Sequence, residues 1–125
     1  MKLLLDTNAF LWWLADPALL KDKARIAIAN PQNFVFLSSV SVIEMAIKEG
    51  KGKLSSATPP ENEMRACNFR ELPFTIAHAS ALRALPPIHQ DPFDRMLVAQ
   101  AQVESMTLVT RDRLLAQYPI SAIAA

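Results

Sequence analysis

Three short apolar runs, each ending where a helix can begin, constrain this chain more than any other feature. "KLLL" (residues 2–5) leads into Asp6-Thr7-Asn8, "FVFLS" (34–38) into a serine-rich helix start, and "MTLVT" (106–110) into Arg111-Asp112. A strand with one wet face alternates apolar and polar residues. Strands that are apolar throughout are covered on both faces, as in parallel sheets flanked by helices. The pattern predicts the α/β class, a parallel sheet sandwiched between helical layers.

The intervening segments supply the helices. Residues 9–15 are apolar nearly all round, Trp12 and Trp13 included, so that helix is covered on more than one side. Asp16-Pro17 opens a second helix that runs to about Asn30 and is closed by Pro31. Ser41-x-x-Glu44 has capping-box spacing for a helix over about 42–49, with Gly50 after its last turn. Residues 55–60 read as a loop and 60–70 as a peripheral helix. "LPFTI" (72–76) is a short strand that Pro73 restricts to a sheet edge. A helix over 77–85 stops at Pro86-Pro87. Asp91 is a good N-cap, with Pro92 in the first position of a helix reaching about Ser105. A short helix over 111–117 and a last short strand over 119–123 follow.

The chain is 125 residues long and 51% apolar, which suits one domain over residues 1–125 with apolar surface left over for a partner. No apolar run approaches the roughly 18–20 residues that span a bilayer, and no basic leader with a cleavage site opens the chain. Cys67 is alone, which excludes an intramolecular disulfide and fits a reducing compartment. A cytoplasmic protein is the expectation, with no membrane role. The net charge of +1 gives no bulk attraction for nucleic acid, so any such binding rests on local charge.

Four acids fall at comparable places. Asp6 ends the first strand, Glu44 lies early in the helix after the second, Asp94 lies in the first turn of the helix begun by Pro92, and Asp112 follows "TLVT". In an open parallel sheet the carboxyl ends of the strands and the following helix starts share one edge, where such folds bind ligands. Each acid alone could serve as a cap or favour the helix dipole, an effect of about 0.3–1 kcal/mol. However, Asp91 and Ser41 already supply two of those caps. A carboxylate cluster repels itself unless a cation neutralises it, and Mg²⁺ or Mn²⁺ prefers oxygen ligands. His78 and His89 stand 11 positions apart and Cys67 has no partner, so no zinc set is visible. A hard cation on a concave acidic edge is a site for phosphate chemistry, with one or two ions.

These residues resemble the PIN-domain ribonucleases, in particular the VapC-type toxins of bacterial toxin–antitoxin pairs. The matching segments are "LLLDTNAFLWWL", "SSVSVIEMAIKEGKGKL", "LPFTIAHASAL", "HQDPFDRMLVAQAQVE" and "LVTRD", in the family's order and over nearly the whole chain. "DPFDRMLVAQA" is the most specific. The resemblance implies a PIN-like three-layer α/β/α sandwich with a central parallel sheet of about five strands. It also implies a divalent-metal-dependent endoribonuclease that cleaves single-stranded RNA as the toxin of a type II pair. Asp6 and Asp94 would be the principal metal ligands, Glu44 part of the same cluster through water, and Asp112 the acid completing a second position. Thr7 and Thr110 would orient carboxylates or water. Asp91 is read as the N-cap, with contact to the ion as the alternative.

On this reading Asp6, Asp94 and the cation hold the scissile phosphate, and water lined up by Glu44 or Asp112 attacks in line, leaving a 5′-phosphate. Arg95 and Arg111, and after them Arg113, Lys48, Lys51 and Lys53, are the candidates for gripping RNA phosphates. Trp12 and Trp13 could stack on bases, but core or interface packing suits them better. The histidines carry no assigned chemistry. The resemblance further implies a homodimer and a cognate VapB-type antitoxin in an apolar groove walled by the first two helices and the Glu44 helix, with Trp12, Trp13 and Leu14 as anchors. The alternative within the same fold is a metal-binding RNA-recognition module without cleavage. A receiver domain would need paired acids after the first strand and a lysine after the last. A haloacid-dehalogenase-like phosphatase would need Asp where Asn8 stands.

Overall fold

The computed structural model describes residues 1–52 and 58–125. Lys53 and residues 55–57 of the expected loop lie outside the described residues. Five parallel strands, β1 (Lys2–Leu5), β2 (Phe34–Ser38), β3 (Arg70–Leu72), β4 (Thr107–Thr110) and β5 (Ser121–Ala124), form one sheet in the order β3-β2-β1-β4-β5. The helices are α1 (Thr7–Ala15), α2 (Asp22–Ala29), α3 (Ser39–Gly50), α4 (Pro60–Ala66), α5 (Ile76–Ala81) and α6 (Pro92–Glu104).

β1 shows why the sheet must be covered twice. Leu3 and Leu5 enter a core with Phe10, Ala24, Ile28 and Met45, while Leu4 between them enters a second core with Val40, Leu97 and Leu108. Successive strand side chains point to opposite faces, so a central strand apolar at every position feeds both cores. The three leucines are fully buried. The expected α/β/α sandwich is therefore the observed one. No helix among the described residues is long and apolar enough to cross a membrane.

Several element boundaries differ from expectation for identifiable reasons. The helix expected from Asp16 to Asn30 is split: a 3₁₀ turn over Pro17–Leu19, capped by the Asp16 side chain on the Ala18 amide, gives way to extended backbone at Leu20, which is buried. Burying Leu20 takes the chain out of the helix before α2 begins. α3 starts earlier than expected, because Ser38 rather than Ser41 is its N-cap, accepting from the Val40 amide at 3.0 Å. Glu44 thus lies in the second turn and takes no part in a capping box. β3 ends before Pro73, which lacks the N–H a ladder requires, although the strand does lie at a sheet edge. After β4 only the 3₁₀ turn Leu115–Gln117 forms, and β5 is displaced to Ser121–Ala124.

One buried polar network sets the spacing of the layers. The Ser38 hydroxyl donates to Gln100 Oε1 at 2.5 Å, and Gln100 Nε2 donates to the Pro73 carbonyl at 3.3 Å. His78, wholly buried, accepts the Thr75 amide on Nδ1 and contacts Glu104 through Nε2 at 2.8 Å. The network fastens α6 to the end of β2, so the helices carrying Glu44 and Asp94 hold a fixed relation.

Candidate active site

All four predicted acids are delivered to the carboxyl edge of the sheet by different elements. Asp6 is the link between β1 and α1, tied on both sides: its amide donates to the Val109 carbonyl of β4 at 3.1 Å, and its Oδ1 accepts the Ala9 amide at 2.7 Å. The N-cap role expected of Asp6 is real. Yet serine or asparagine would cap as well, while here a carboxylate only 6% exposed is retained. Burial raises its pKa, and Glu44 and Asp112 nearby push in the same direction. Hydrogen bonds from Thr110 and the Ala9 amide oppose the rise.

Asp94 sits in the first turn of α6, where Asp91 is the observed N-cap, its Oδ1 accepting the Phe93 and Asp94 amides at 2.8 and 3.2 Å. The Asp94 carboxyl is pushed up to about 7, first by burial and then by the charges of Asp91, Asp6 and Glu44, with His89 pulling the other way. Its ionic contact, to His89 Nε2, is 3.6 Å long, too far for a hydrogen bond.

Glu44 is buried and doubly held. Thr7 Oγ1 donates to its Oε1 at 2.7 Å and stands 3.0 Å from Ser41 Oγ, and Lys48 Nζ lies 2.6 Å from its Oε2. Asp112 ends the β4 connection; its Oδ1 accepts the Leu114 amide at 2.9 Å, and its Oδ2 lies 2.7 Å from His89 Nε2. Thr110 ties two acids together, donating to Asp6 while accepting the Asp112 amide at 3.1 Å. Thr7 and Thr110 are thus each in contact with one or more of the four acids.

His89 is the residue that sequence reasoning missed. Its Nδ1 accepts the Asp91 amide at 3.0 Å, so the ring proton is on Nε2 and is directed at Asp112. Its own amide donates to the Tyr118 hydroxyl at 2.9 Å. His89, Asp94 and Asp112 lie close enough to share an ion, but ligation through Nε2 would move the proton to Nδ1 and break the Asp91 contact. His89 is therefore a donor to Asp112. The one available signal was its place two residues before the N-cap of α6.

The basic residues divide. Lys48 points into the acids. Arg111 is already committed: its guanidinium lies 3.8 Å over the Trp12 ring and donates to the Ala125 and Leu19 carbonyls at 3.2 and 2.6 Å. An RNA phosphate reaching Arg111 would have to compete with these three partners. Arg95 turns toward the Leu85 carbonyl at 3.5 Å. Trp12 is thus stacked on a cation, and Trp13 packs against Phe69 with ring centroids 6.3 Å apart. Both tryptophans pack against the core cluster, and so does Leu14.

The donor set fits a hard divalent cation. The Asp94 and Asp112 carboxylates lie within reach of one ion, Asp6 and Asp94 have pKa values raised by burial and by the charges of neighbouring acids, and one Lys is the only ammonium or guanidinium in ion-pair contact with the four acids among the described residues. Asp6, Asp94 and Asp112, with Glu44 behind them, are the groups that would hold it.

Comparison with known proteins agrees with this geometry. The sequence profile of the PIN domain matches residues 3–120. Ribonuclease VapC22 of Mycobacterium tuberculosis is 30% identical over 115 residues, covering 90% of this chain and 88% of that protein. Among solved structures, VapBC2 from Rickettsia felis bound to a promoter DNA fragment superposes with a TM-score of 0.73 at 16% identity, covering 100% of this chain and 99% of that one. DNA-bound VapBC from Salmonella typhimurium gives 0.66 at 18% identity, covering 99% and 98%. At such identities the two structures speak for the fold.

Proposed function

The chain belongs to the PIN-domain family, and from that premise we propose that it is an endoribonuclease, the toxin of a type II toxin–antitoxin pair. It works as a single domain over residues 1–125 and cleaves single-stranded RNA with Mg²⁺ or Mn²⁺. The observation that carries the reading is the meeting of Asp6, Glu44, Asp94 and Asp112 from four separate elements, with the Asp94 carboxyl raised to about 7 by burial and by its neighbours. A structural cap has no need of such crowding. The ribonuclease relative supports the substrate class, and the VapBC neighbours support an antitoxin partner of VapB type.

When bound, the cation supplies charge neutralisation and polarisation of the scissile phosphate. The chain's own groups do the rest. Asp6, which Thr110 steadies, and Asp94, in the first turn of α6, would hold the cation and with it position the phosphate. Asp112, in contact with His89, and Glu44, in contact with Thr7, line up the attacking water in this reading. The antitoxin covers the apolar strip of α3, where Ile43 and Ile47 are 51% and 42% exposed, next to a hollow of about 340 Å³ lined by Leu37, Val42 and Met64. A homodimer uses the remaining exposed apolar surface.

The test is cleavage of a single-stranded RNA with Mg²⁺ or Mn²⁺, run beside Asp6→Asn and Asp94→Asn. Cutting by the unmutated chain, lost in both variants and leaving 5′-phosphate ends, is expected. A 2′,3′-cyclic phosphate would mean attack by the ribose hydroxyl and would end the water mechanism. RNA binding without cutting would make the chain a recognition module.

A further inference from the structure

Lys48 follows Glu44 by one helical turn, so α3 places both side chains on one face. An (i, i+4) pair on an open helix surface would be ordinary and worth little. This pair differs in its surroundings. Glu44 is buried, its other oxygen is held by Thr7, and the ammonium also feels the charges of Asp91 and Asp94 across the pocket. The lysine side chain is 44% exposed, so its head can leave Glu44 without disturbing the core. Two arginines near the site are engaged elsewhere, Arg111 with Trp12 and two carbonyls and Arg95 with the Leu85 carbonyl, while the His89 ring is directed at Asp112.

We propose that Lys48 is the pocket's built-in counter-ion, which pairs with Glu44 in the metal-free protein, yields that carboxylate as the divalent cation enters, and then binds the scissile phosphate. The inference rests on the nuclease reading and adds a residue to it. An ammonium 2.6 Å from one of the acids repels an incoming dication. Removing it leaves the acid cluster with an unbalanced charge that only the metal can satisfy. The same removal takes away the lysine that, among the described residues, pairs with that acid and would meet the substrate phosphate there. Metal affinity and turnover therefore move in opposite directions, which no purely structural role of Lys48 produces.

The experiment titrates Mn²⁺ into the metal-stripped full-length chain, followed by water-proton relaxation or calorimetry. It compares the unmutated protein, Lys48→Gln and Lys48→Arg, then measures RNA cleavage at saturating Mn²⁺. In Lys48→Gln, Mn²⁺ binds about tenfold more tightly, the factor that corresponds to about 1.4 kcal/mol of repulsion removed. Its turnover falls by about 10- to 100-fold. Lys48→Arg keeps the charge and the weaker, wild-type Mn²⁺ affinity. Weaker or unchanged Mn²⁺ binding in Lys48→Gln overturns the proposal, and so does unreduced turnover. If either outcome appears in Lys48→Gln while the unmutated chain binds Mn²⁺ and cleaves RNA, the Lys48 role alone is overturned. If it does neither, the nuclease reading fails with it.

Discussion

His89 Nε2 donates to Asp112 Oδ2 across 2.7 Å, and the tautomer this needs is imposed by the Asp91 amide on the other ring nitrogen. One backbone amide of the α6 cap thereby decides where an acid at the end of β4 points. His89→Ala should leave Asp112 held only through the Leu114 amide on Oδ1 and reduce Mn²⁺ affinity or cleavage by about 10- to 100-fold, the usual cost of losing a group that orients a metal ligand. Parallel metal titration and RNA cleavage would show it. Unchanged values in both would make the contact incidental.

Asp94 gives a pH dependence with a definite sign. Its ordinary value is 3.8 and its folded value about 7, so the folded chain keeps a proton that the unfolded chain has released. The resulting stability is fully present below about pH 4 and is lost as pH rises through about 7. Urea unfolding of the metal-stripped protein should show this loss between those limits, after correction for groups shared with Asp94→Asn. A curve that is flat relative to that variant would contradict the buried, crowded carboxyl.

Asp94→Asn keeps the shape and removes the charge. At pH 8 without metal it should stabilise the chain, by on the order of 1–3 kcal/mol, while abolishing cleavage. Gain of stability with loss of activity marks a site kept for chemistry. Denaturant midpoints and the cleavage assay together test it.

Gln100→Leu should strand the Ser38 hydroxyl and the Pro73 carbonyl in the interior, at a cost of about 1–3 kcal/mol. Because the network links α6 to the start of α3, turnover at saturating metal should fall as well. Urea midpoints check the first effect and single-turnover cleavage the second.

The legibility of the site in the sequence follows from what spacing can encode. Asp6, Glu44, Asp94 and Asp112 were visible because parallel topology sends strand ends and helix starts to one edge, so their convergence needs only correct element order. His89 and the inward-facing Lys48 were not, since each acts through partners that become neighbours only on folding. The commitment of Arg111 to Trp12 and the Leu19 carbonyl was hidden for the same reason. The capping of α3 shows the limit at the local level. Ser38, Ser39 and Ser41 are near equivalents in sequence, and Ser38 is selected by Gln100, which lies in another helix. Pro73 in sequence is equally compatible with a tolerated edge residue and with a strand's terminator, and in the fold it follows the end of β3.

The position of β1 between β2 and β4 bears on unfinished or broken copies of the chain. Asp6 is synthesised before β2, yet β4, which flanks β1 on its other side, and two companion acids, Asp94 and Asp112, are synthesised only after α5. A fragment halted before α6 would carry no partial catalytic power. It would present an unpaired apolar strand edge, ready to stick to other chains. Damage of that kind should register in a cell as aggregation and proteolysis, never as stray cutting.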